Sequence, residues 1–273
     1  MFMMKRIYLE ITNSCNLNCK FCTQDKGTTF MDIKDIENYL KQIRKFSSYI
    51  YLHVLGEPLL HPSFDQIMNL LDKYDFNLQL VTNGILLGKH KDVLNHDSLR
   101  KLSISIHSIN NINVSDEYFR TIDYLIENNN NKIIELRFYD LNNLDDKLTD
   151  YLNKLNNKYH FKDTKKDKSY KLKDNIYIYS QKMFRWPNIN DEDIGEYGYC
   201  HGLIDQIAIL HNGLVTSCCL DGSGINSFGD LNKESLKEVL ESEKYKKALS
   251  ELKNKHMILP LCKKCTYRLR FDK

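Results

Sequence analysis

At 273 residues and 42% hydrophobic content, the chain has enough apolar surface for one large domain, or one domain with a smaller appendage. Its 39 basic and 36 acidic side chains nearly cancel to a net charge of +3, which argues against a nucleic-acid or membrane-surface partner. Lys5, Arg6 and Glu10 interrupt the apolar opening and no long apolar span follows. Neither a secretory leader nor a membrane helix is expected, and the expected compartment is the cytoplasm.

The first half alternates short β-branched or aromatic runs with amphipathic windows. Strands are expected at 6–12 (RIYLEIT), 49–55 (YIYLHVL), 77–82 (NLQLVT), 101–107 (KLSISIH) and 132–139 (KIIELRFY). Helical windows fall near 33–46, 63–74, 115–127 and 143–156, with a shorter one after Gly88. In the first window Ile33, Ile36, Leu40 and Ile43 share one face. Such alternation predicts a parallel sheet with crossover helices, either open or closed into a full or partial barrel. Chemistry in such barrels sits at the C-terminal ends of the strands, where the segment after 6–12 falls.

Lys162–Lys173 breaks the pattern: it is lysine-rich without apolar periodicity, and reads as a solvated loop or as an attractive surface for a phosphorylated substrate. NIYIYS (175–180) and the lone tryptophan of FRWPNIND follow. LIDQIAIL (203–210) and LVTSCC (214–219) flank His211-Asn212-Gly213, and Asn-Gly between β-rich runs predicts a hairpin. A helix over 233–253 then precedes CKKC at 262–265. Two parts are expected, 1–170 and 171–273.

Seven of the eight cysteines fall into two groups. Cys15, Cys19 and Cys22 follow the first strand as C-x3-C-x2-C, too close together for comfortable disulfides and odd in number. In a reducing compartment such a cluster favours metal. Structural zinc takes four ligands, and His53 and His61 are candidates to complete such a site. Three thiolates from one loop also suit a four-iron cluster that keeps one iron open to an exogenous ligand. The second group, Cys200, Cys218, Cys262 and Cys265, reads C-x12-G-x4-C followed by C-x2-C, and suits another four-iron cluster or a zinc ribbon. Cys219 is left over. Strand alternation points it away from Cys218 as a small buried hydrophobe; a hydrogen-atom donor to a substrate radical and a substitute ligand are its other readings.

The pattern C-x3-C-x-aromatic-C, with Phe21 as the aromatic, resembles that of the radical S-adenosylmethionine (SAM) enzymes. The resemblance implies an α/β fold, a partial (β/α)6 TIM-type barrel. It implies an open iron that chelates SAM and a reduced cluster that cleaves SAM to a 5′-deoxyadenosyl radical, which abstracts hydrogen from substrate. It implies SAM contacts at Gly56, Glu57 and Pro58, where the family's two-glycine segment keeps one glycine after Leu55. Further contacts are implied at Asn83 in Val81-Thr82-Asn83-Gly84, and at Ser105, His107 and Arg137 toward the SAM carboxylate. The C-terminal pattern resembles the SPASM extension in its short twitch form. This implies a small β-hairpin plus helix around one auxiliary [4Fe–4S] cluster on Cys200, Cys218, Cys262 and Cys265, and so two clusters in all. A low-potential electron donor such as flavodoxin or ferredoxin is the implied protein partner.

The layout resembles twitch-type alcohol dehydrogenases such as 2-deoxy-scyllo-inosamine dehydrogenase, which implies oxidation of a secondary alcohol on a sugar- or cyclitol-like substrate. A radical epimerase and a peptide-modifying enzyme are the alternatives within the family. An iron–sulfur electron-transfer module and a zinc-stapled binding protein are the alternatives outside enzymes. Oxidation needs a base for the hydroxyl proton, and Asp221, Glu135 and Arg137 are the candidates; Asp221 in LDGSG also reads as a turn residue. Tyr177, Tyr179, Phe184 and Trp186 read either as the lining of a sugar pocket or as core.

Overall fold

A computed structural model describes residues 3–19, 21–22, 27–161, 169–181 and 183–271, the Gln181 side chain excepted. Residues 162–168 of the lysine-rich stretch lie outside the described residues. The elements in the first half are β1 (Arg6–Leu9), α1 (Ile33–Ile43), β2 (Tyr49–Tyr51), α2 (Phe64–Lys73), β3 (Asn77–Thr82), β4 (Leu99–Ile104), α3 (Asp116–Glu127), β5 (Ile133–Tyr139) and α4 (Asp146–Tyr159). There follow β6 (Ser169–Lys173), β7 (Ile176–Gln181), β8 (Gln206–Ile209), β9 (Leu214–Thr216), β10 (Gly229–Asp230), α5 (Leu236–Glu241), α6 (Glu243–Lys253) and α7 (Pro260–Lys264). Packing divides the chain into two units, Met1–Asn77 with Phe184–Lys273, and Leu78–Met183.

In the first unit β1 runs parallel to β2 on one side and to β8 on the other, with Arg6 opposite Gln206 and Leu9 opposite Ile209. β8, β9 and β10 continue antiparallel, in the order β10-β9-β8-β1-β2. The expected hairpin forms, and Gly213 takes φ 88°, the left-handed backbone its turn requires. Ile7, Leu9, Ile207 and Ile209 are fully buried, so the C-terminal hairpin shares a core with the first strand. The strands stop earlier than their apolar runs suggest. Past Leu9 and Tyr51 the chain leaves the ladder, and side-chain oxygens take over part of its hydrogen bonding: Glu10 Oε1, for one, accepts from the Leu55 N–H at 2.9 Å.

α1 starts where Asp32 accepts from the Lys34 N–H, and it buries Ile36, Tyr39, Leu40 and Ile43 at helical spacing, packing against α2 and α5. The single helix expected over 233–253 is two. Ser235 and Glu238 form a capping box at the start of α5; Ser242 leaves helical geometry at ψ 148° and caps α6 by accepting from the Tyr245 N–H at 3.2 Å. A serine that competes for the backbone breaks the helix there.

In the second unit the order is β3-β4-β5-β7-β6, with β3, β4, β5 and β7 all parallel and β6 antiparallel to β7. β4 starts and ends earlier than expected, so His107 falls in a 3₁₀ turn, Ile106–Ile109, and not on the strand. β7, the NIYIYS run, pairs in parallel with β5 from Ile134 opposite Ile176 onward. The division by packing thus falls after β7, not at residue 170. α3 buries Tyr118, Thr121, Ile122, Leu125 and Ile126, and α4 is capped by Asp145, which accepts from the Leu148 N–H at 2.9 Å.

Candidate functional site

The first cysteine loop begins just after β1 and is stapled at its base. Thr12 Oγ1 donates to the Thr29 carbonyl (2.8 Å) and accepts from the Ser14 N–H (3.0 Å), while Asn13 Oδ1 accepts from the Thr29 N–H (2.9 Å). Within the loop the Cys22 N–H donates to the Cys19 carbonyl at 3.0 Å, a tight turn that keeps those two residues together beside the half-buried Phe21. No two of the eight cysteines are joined in a disulfide, and all are half-buried.

Gly56-Glu57-Pro58 rests on the same base. The Glu57 N–H donates to the Ser14 carbonyl at 2.8 Å, and a Cβ on Gly56 would stand 2.0 Å from the Thr12 carbonyl oxygen. Gly56 is therefore demanded by the approach of two backbones. Leu55 occupies the place of the second glycine, and a Cβ on Gly222 would meet the Leu55 side chain at 2.6 Å. The bulk gained at residue 55 is thus accommodated by a glycine in the loop after Cys218. Glu57 is buried and caps the 3₁₀ turn Pro58–Leu60 by accepting from the Leu59 N–H at 3.2 Å.

Glu10, fully buried, joins three segments of this unit. Its Oε1 accepts from the Leu55 N–H (2.9 Å), and its Oε2 from the His211 N–H (3.2 Å) and the His211 ring at Nδ1 (2.7 Å). Nδ1 therefore carries a proton, and Nε2 accepts from Asn13 Nδ2 at 3.0 Å. The end of β1, the segment before Gly56 and the hairpin turn are held by one carboxylate. Sequence reasoning missed this; the available signal was an acid closing an apolar strand. His61 is taken up elsewhere: Nε2 donates to the Met31 carbonyl (2.9 Å) and Nδ1 accepts from the Ser63 N–H (3.1 Å), which corrects its candidacy as a zinc ligand.

The second group is assembled from three places: Cys200 before β8, Cys218 after β9, and Cys262 and Cys265 in and just after α7, whose Pro260 suits a first helical turn. The fold brings them together. Charge on Cys200 is felt by Cys218, Cys262 and Cys265, charge on Cys262 by Cys218, and charge on Cys265 by Cys262. Desolvation by packed neighbours is the largest cause acting on each, and pushes all four thiols up. At Cys200 the backbone N–H groups of Gly202 and His201 and the Arg268 charge act against that rise. Thiols held protonated in this way ionise when a metal replaces the proton.

The donor set fits an iron–sulfur cluster. The Gly202 N–H donates to Cys200 Sγ at 3.4 Å and Asn226 Nδ2 to Cys262 Sγ at 3.6 Å, bonds that a thiolate accepts well. Among the described residues no three His, Cys, Asp or Glu groups are placed to hold a single metal ion. A four-iron cube takes its thiolates at separate corners, further apart than about one zinc with its ~2.3 Å bonds.

Two expectations near this group need correction. Asp221 was a candidate base, yet it is 1% exposed, and Oδ1 and Oδ2 accept from the Ile225 and Asn226 N–H groups at 2.8 Å each. Both oxygens are spent on folding the loop that aims Asn226 at Cys262, so Asp221 is a turn residue. Cys219 was expected on the opposite face of a strand from Cys218, but β9 ends at Thr216 and alternation does not reach it. Its side chain packs, with Cys22 and Trp186, on a cluster of Tyr8, Val54, Leu55, Ala208 and Leu210. Desolvation lifts the Cys219 thiol to about 11. It feels the charge of Cys200, and its own charge acts on Cys218, so it lies beside the group of four.

In the second unit Asn83 is buried, its Oδ1 accepting from the Ile85 N–H (3.0 Å) and its carbonyl from the Tyr118 hydroxyl (3.1 Å). Ser105 and Arg137 are half-buried. His107 is buried, donates from Nδ1 to the Arg137 carbonyl at 3.0 Å, and stacks on Tyr139 with ring centroids 3.6 Å apart. Desolvation, helped by the Arg137 charge, lowers the ring to about 3, so it is neutral with Nε2 an acceptor. An acceptor nitrogen suits a hydroxyl better than a carboxylate. Glu135 is paired with Lys101 (2.6 Å) and accepts from Ser103 Oγ (3.2 Å), which removes its readiness as a base. The four aromatics are divided: Tyr177 and Tyr179 lie half-buried on β7, whereas Phe184 and Trp186, 6.1 Å apart, belong to the first unit.

The profile of the Radical SAM superfamily matches residues 9–149, more than half of the chain. The chain belongs to the radical SAM superfamily. A second profile, the SPASM iron–sulfur cluster-binding domain, matches residues 200–266. The fold is similar to that of BtrN in complex with AdoMet and 2-DOIA, with a TM-score of 0.65 and 16% identity over 97% of this chain and 94% of that one. It is also similar to native anSMEcpe with bound AdoMet and the Cp18Cys peptide, with a TM-score of 0.59 and 14% identity over 94% of this chain and 87% of that one. A curated relative, GTP 3′,8-cyclase of Aquifex aeolicus (strain VF5), is 28% identical over 116 residues, 39% of this chain. The match spans 36% of that relative's length.

The chain is thus a radical SAM enzyme of α/β class, a partial barrel with a C-terminal SPASM region, and its cofactors are SAM and [4Fe–4S] clusters. No helix among the described residues is long and apolar enough to cross a membrane. Arg268 and Asn226, like Glu10, carry no motif signal; they are found only by following hydrogen bonds.

Proposed function

We propose that this radical SAM enzyme oxidises a secondary alcohol of a sugar- or cyclitol-like substrate, in the cytoplasm, with electrons exchanged through a flavodoxin or ferredoxin. Cys15, Cys19 and Cys22 hold the SAM-binding cluster, and Cys200, Cys218, Cys262 and Cys265 hold one auxiliary cluster. Together these groups supply radical generation from SAM and an electron acceptor without an open coordination position. The carrying observation is that four cysteines from three separate segments converge, with Gly202 placed between Cys200 and Cys218 and N–H groups donating to Cys200 Sγ and Cys262 Sγ. The proposed functional division is a radical SAM core over 1–170 and a SPASM/twitch domain over 171–273.

The chain's own residues do the positioning. Gly56 lets the second strand's exit lie against the base of the cysteine loop, and Glu57 holds that exit in a turn. Phe21 spaces Cys19 from Cys22. Within the second unit, Asn83, Ser105 and Arg137 are the proposed SAM contacts. Arg137 serves the carboxylate, and His107, as an acceptor, serves a hydroxyl.

A second reading, a radical epimerase, is favoured by one observation: Cys219 packs on the cluster that contains Tyr8, next in the chain to the proposed cluster ligand Cys218. A peptide substrate is the further alternative, supported by the likeness to a peptide-bound neighbour. Turnover in deuterated water, by wild type and Cys219→Ala, separates the outcomes. A product lighter by two hydrogens from both proteins supports oxidation. One solvent deuterium at unchanged oxidation state, lost in the variant, establishes epimerisation and refutes the dehydrogenase.

A further inference from the structure

Arg268 is 1% exposed and heads the fully buried side chains in volume. Its guanidinium donates to the carbonyls of Tyr197 (2.7 Å), Gly195 (2.7 Å) and Ile194 (3.5 Å), and its Nε to the carbonyl of Cys262 (3.3 Å). The Arg268 N–H donates to the Cys265 carbonyl at 3.4 Å. Every one of these acceptors is a backbone carbonyl, and among the described residues no carboxylate pairs with it. A buried cation normally has a counter-charge, because taking it out of water is costly. Its bonds to the carbonyls of Cys262 and Cys265 place it beside the cysteine group, and its charge acts on Cys200 and Cys265.

We propose that Arg268 is the built-in counter-charge of the auxiliary cluster and raises its reduction potential, fitting that cluster to accept an electron. This rests on the reading that Cys200, Cys218, Cys262 and Cys265 are its ligands. Four thiolates on a dicationic iron–sulfur core leave the site net negative, and reduction adds one electron and no proton. In the proposed oxidation that electron comes from the substrate radical as its hydroxyl proton passes to water, leaving a ketone. It departs to a one-electron carrier of the flavodoxin or ferredoxin class. A fixed cation stabilises the more negative, reduced state more than the oxidised one, and low polarity around it strengthens the effect. The carbonyl cage keeps the guanidinium from swinging to solvent. The hydrogen bonds to Cys200 Sγ from Gly202 and to Cys262 Sγ from Asn226 act in the same direction. Arg268 is a positioning and tuning residue; it touches no reacting atom.

The test is an EPR-monitored redox titration of the anaerobically reconstituted full-length protein, with and without SAM; the signal that SAM leaves unchanged is the auxiliary one. Arg268→Gln keeps an amide donor without the charge. It should weaken auxiliary reduction by at least tenfold in equilibrium constant, about 59 mV for one electron, with the SAM-sensitive signal unmoved. Arg268→Lys restores the charge and should recover most of the shift. Loss of auxiliary iron from the Gln variant alone, with iron retained by the Lys variant, again identifies charge as what matters. Equal potentials in wild type and Arg268→Gln, or equal iron loss from both variants, overturn the proposal. A second signal that survives replacement of Cys262 and Cys265 refutes the ligand assignment and the proposal with it. A shifted potential with an epimeric product refutes the oxidation reading and leaves the role of Arg268 standing.

Discussion

The two cysteine sites of the first unit are built by opposite means. Cys15, Cys19 and Cys22 come from one short loop, and the fold contributes staples at its base: Thr12, Asn13, Ser14 and the side-chain-free approach at Gly56. Cys200, Cys218, Cys262 and Cys265 come from a loop, a hairpin exit and a helix, and the fold contributes hydrogen bonds to sulfur and a buried arginine. The bonds that staple the loop of the proposed SAM site lie at its base. A site that admits no ligand can be enclosed and electrostatically tuned, which requires groups from many places in the chain.

The sharpest break between the two sites is by deletion. Replacing Cys15, Cys19 and Cys22 with alanine should cut bound iron from about eight to about four per chain and abolish SAM cleavage. Replacing Cys262 and Cys265 should remove a similar amount of iron and all substrate turnover, yet leave abortive 5′-deoxyadenosine release. Iron analysis and product chromatography check both, and 5′-deoxyadenosine from the triple variant would erase the distinction.

Gly56→Ala should have the next largest effect, confined to the local site. Its new methyl group meets the Thr12 carbonyl at 2.0 Å, backbone against backbone, so the loop base must move, at a cost above about 2 kcal/mol. SAM affinity and first-cluster iron should fall together while the auxiliary EPR signal stays. Loss of both signals in parallel would show that the sites do not fold independently.

The second unit, which contains no cysteine, sharpens the comparison as a metal-free baseline. The folded His107 ring titrates at about 3 and the unfolded one near its ordinary value of about 6.5. Between those values the unfolded chain binds the extra proton. Stability conferred by the neutral ring is therefore complete above the upper value and lost as pH falls toward the lower, by up to about 1.4 kcal/mol per pH unit. Amide exchange on β5 should show this slope with or without iron, and His107→Gln should flatten it. An unchanged slope in the variant would mean that the ring is not the group responsible.

Legibility followed the range of the interactions. The strand–helix alternation and the first cysteine loop were readable because neighbours in sequence are neighbours in space; α1, with Ile36, Leu40 and Ile43 buried as spaced, is the clearest case. Asp221 was half legible: LDGSG announced a turn, but only the structure shows both carboxylate oxygens accepting from the Ile225 and Asn226 N–H groups. The element that carries His107 was not legible: β4 ends at Ile104, and a shift of that size moves a residue from strand exit to a buried turn.

By itself the sequence determined the cysteine spacings, the aromatic at Phe21, the single glycine at residue 56 and the hairpin turn at Gly213, each a matter of a few bonds along the chain. Tertiary structure decided that β8 lies parallel to β1, that β7 belongs with β5, that Cys200 and Cys218 meet on either side of Gly202, and that Arg268 has carbonyls where a carboxylate would be expected. Those outcomes depend on desolvation and on pairing between distant segments. No local period or motif encodes either, because both arise only when the chain has closed on itself.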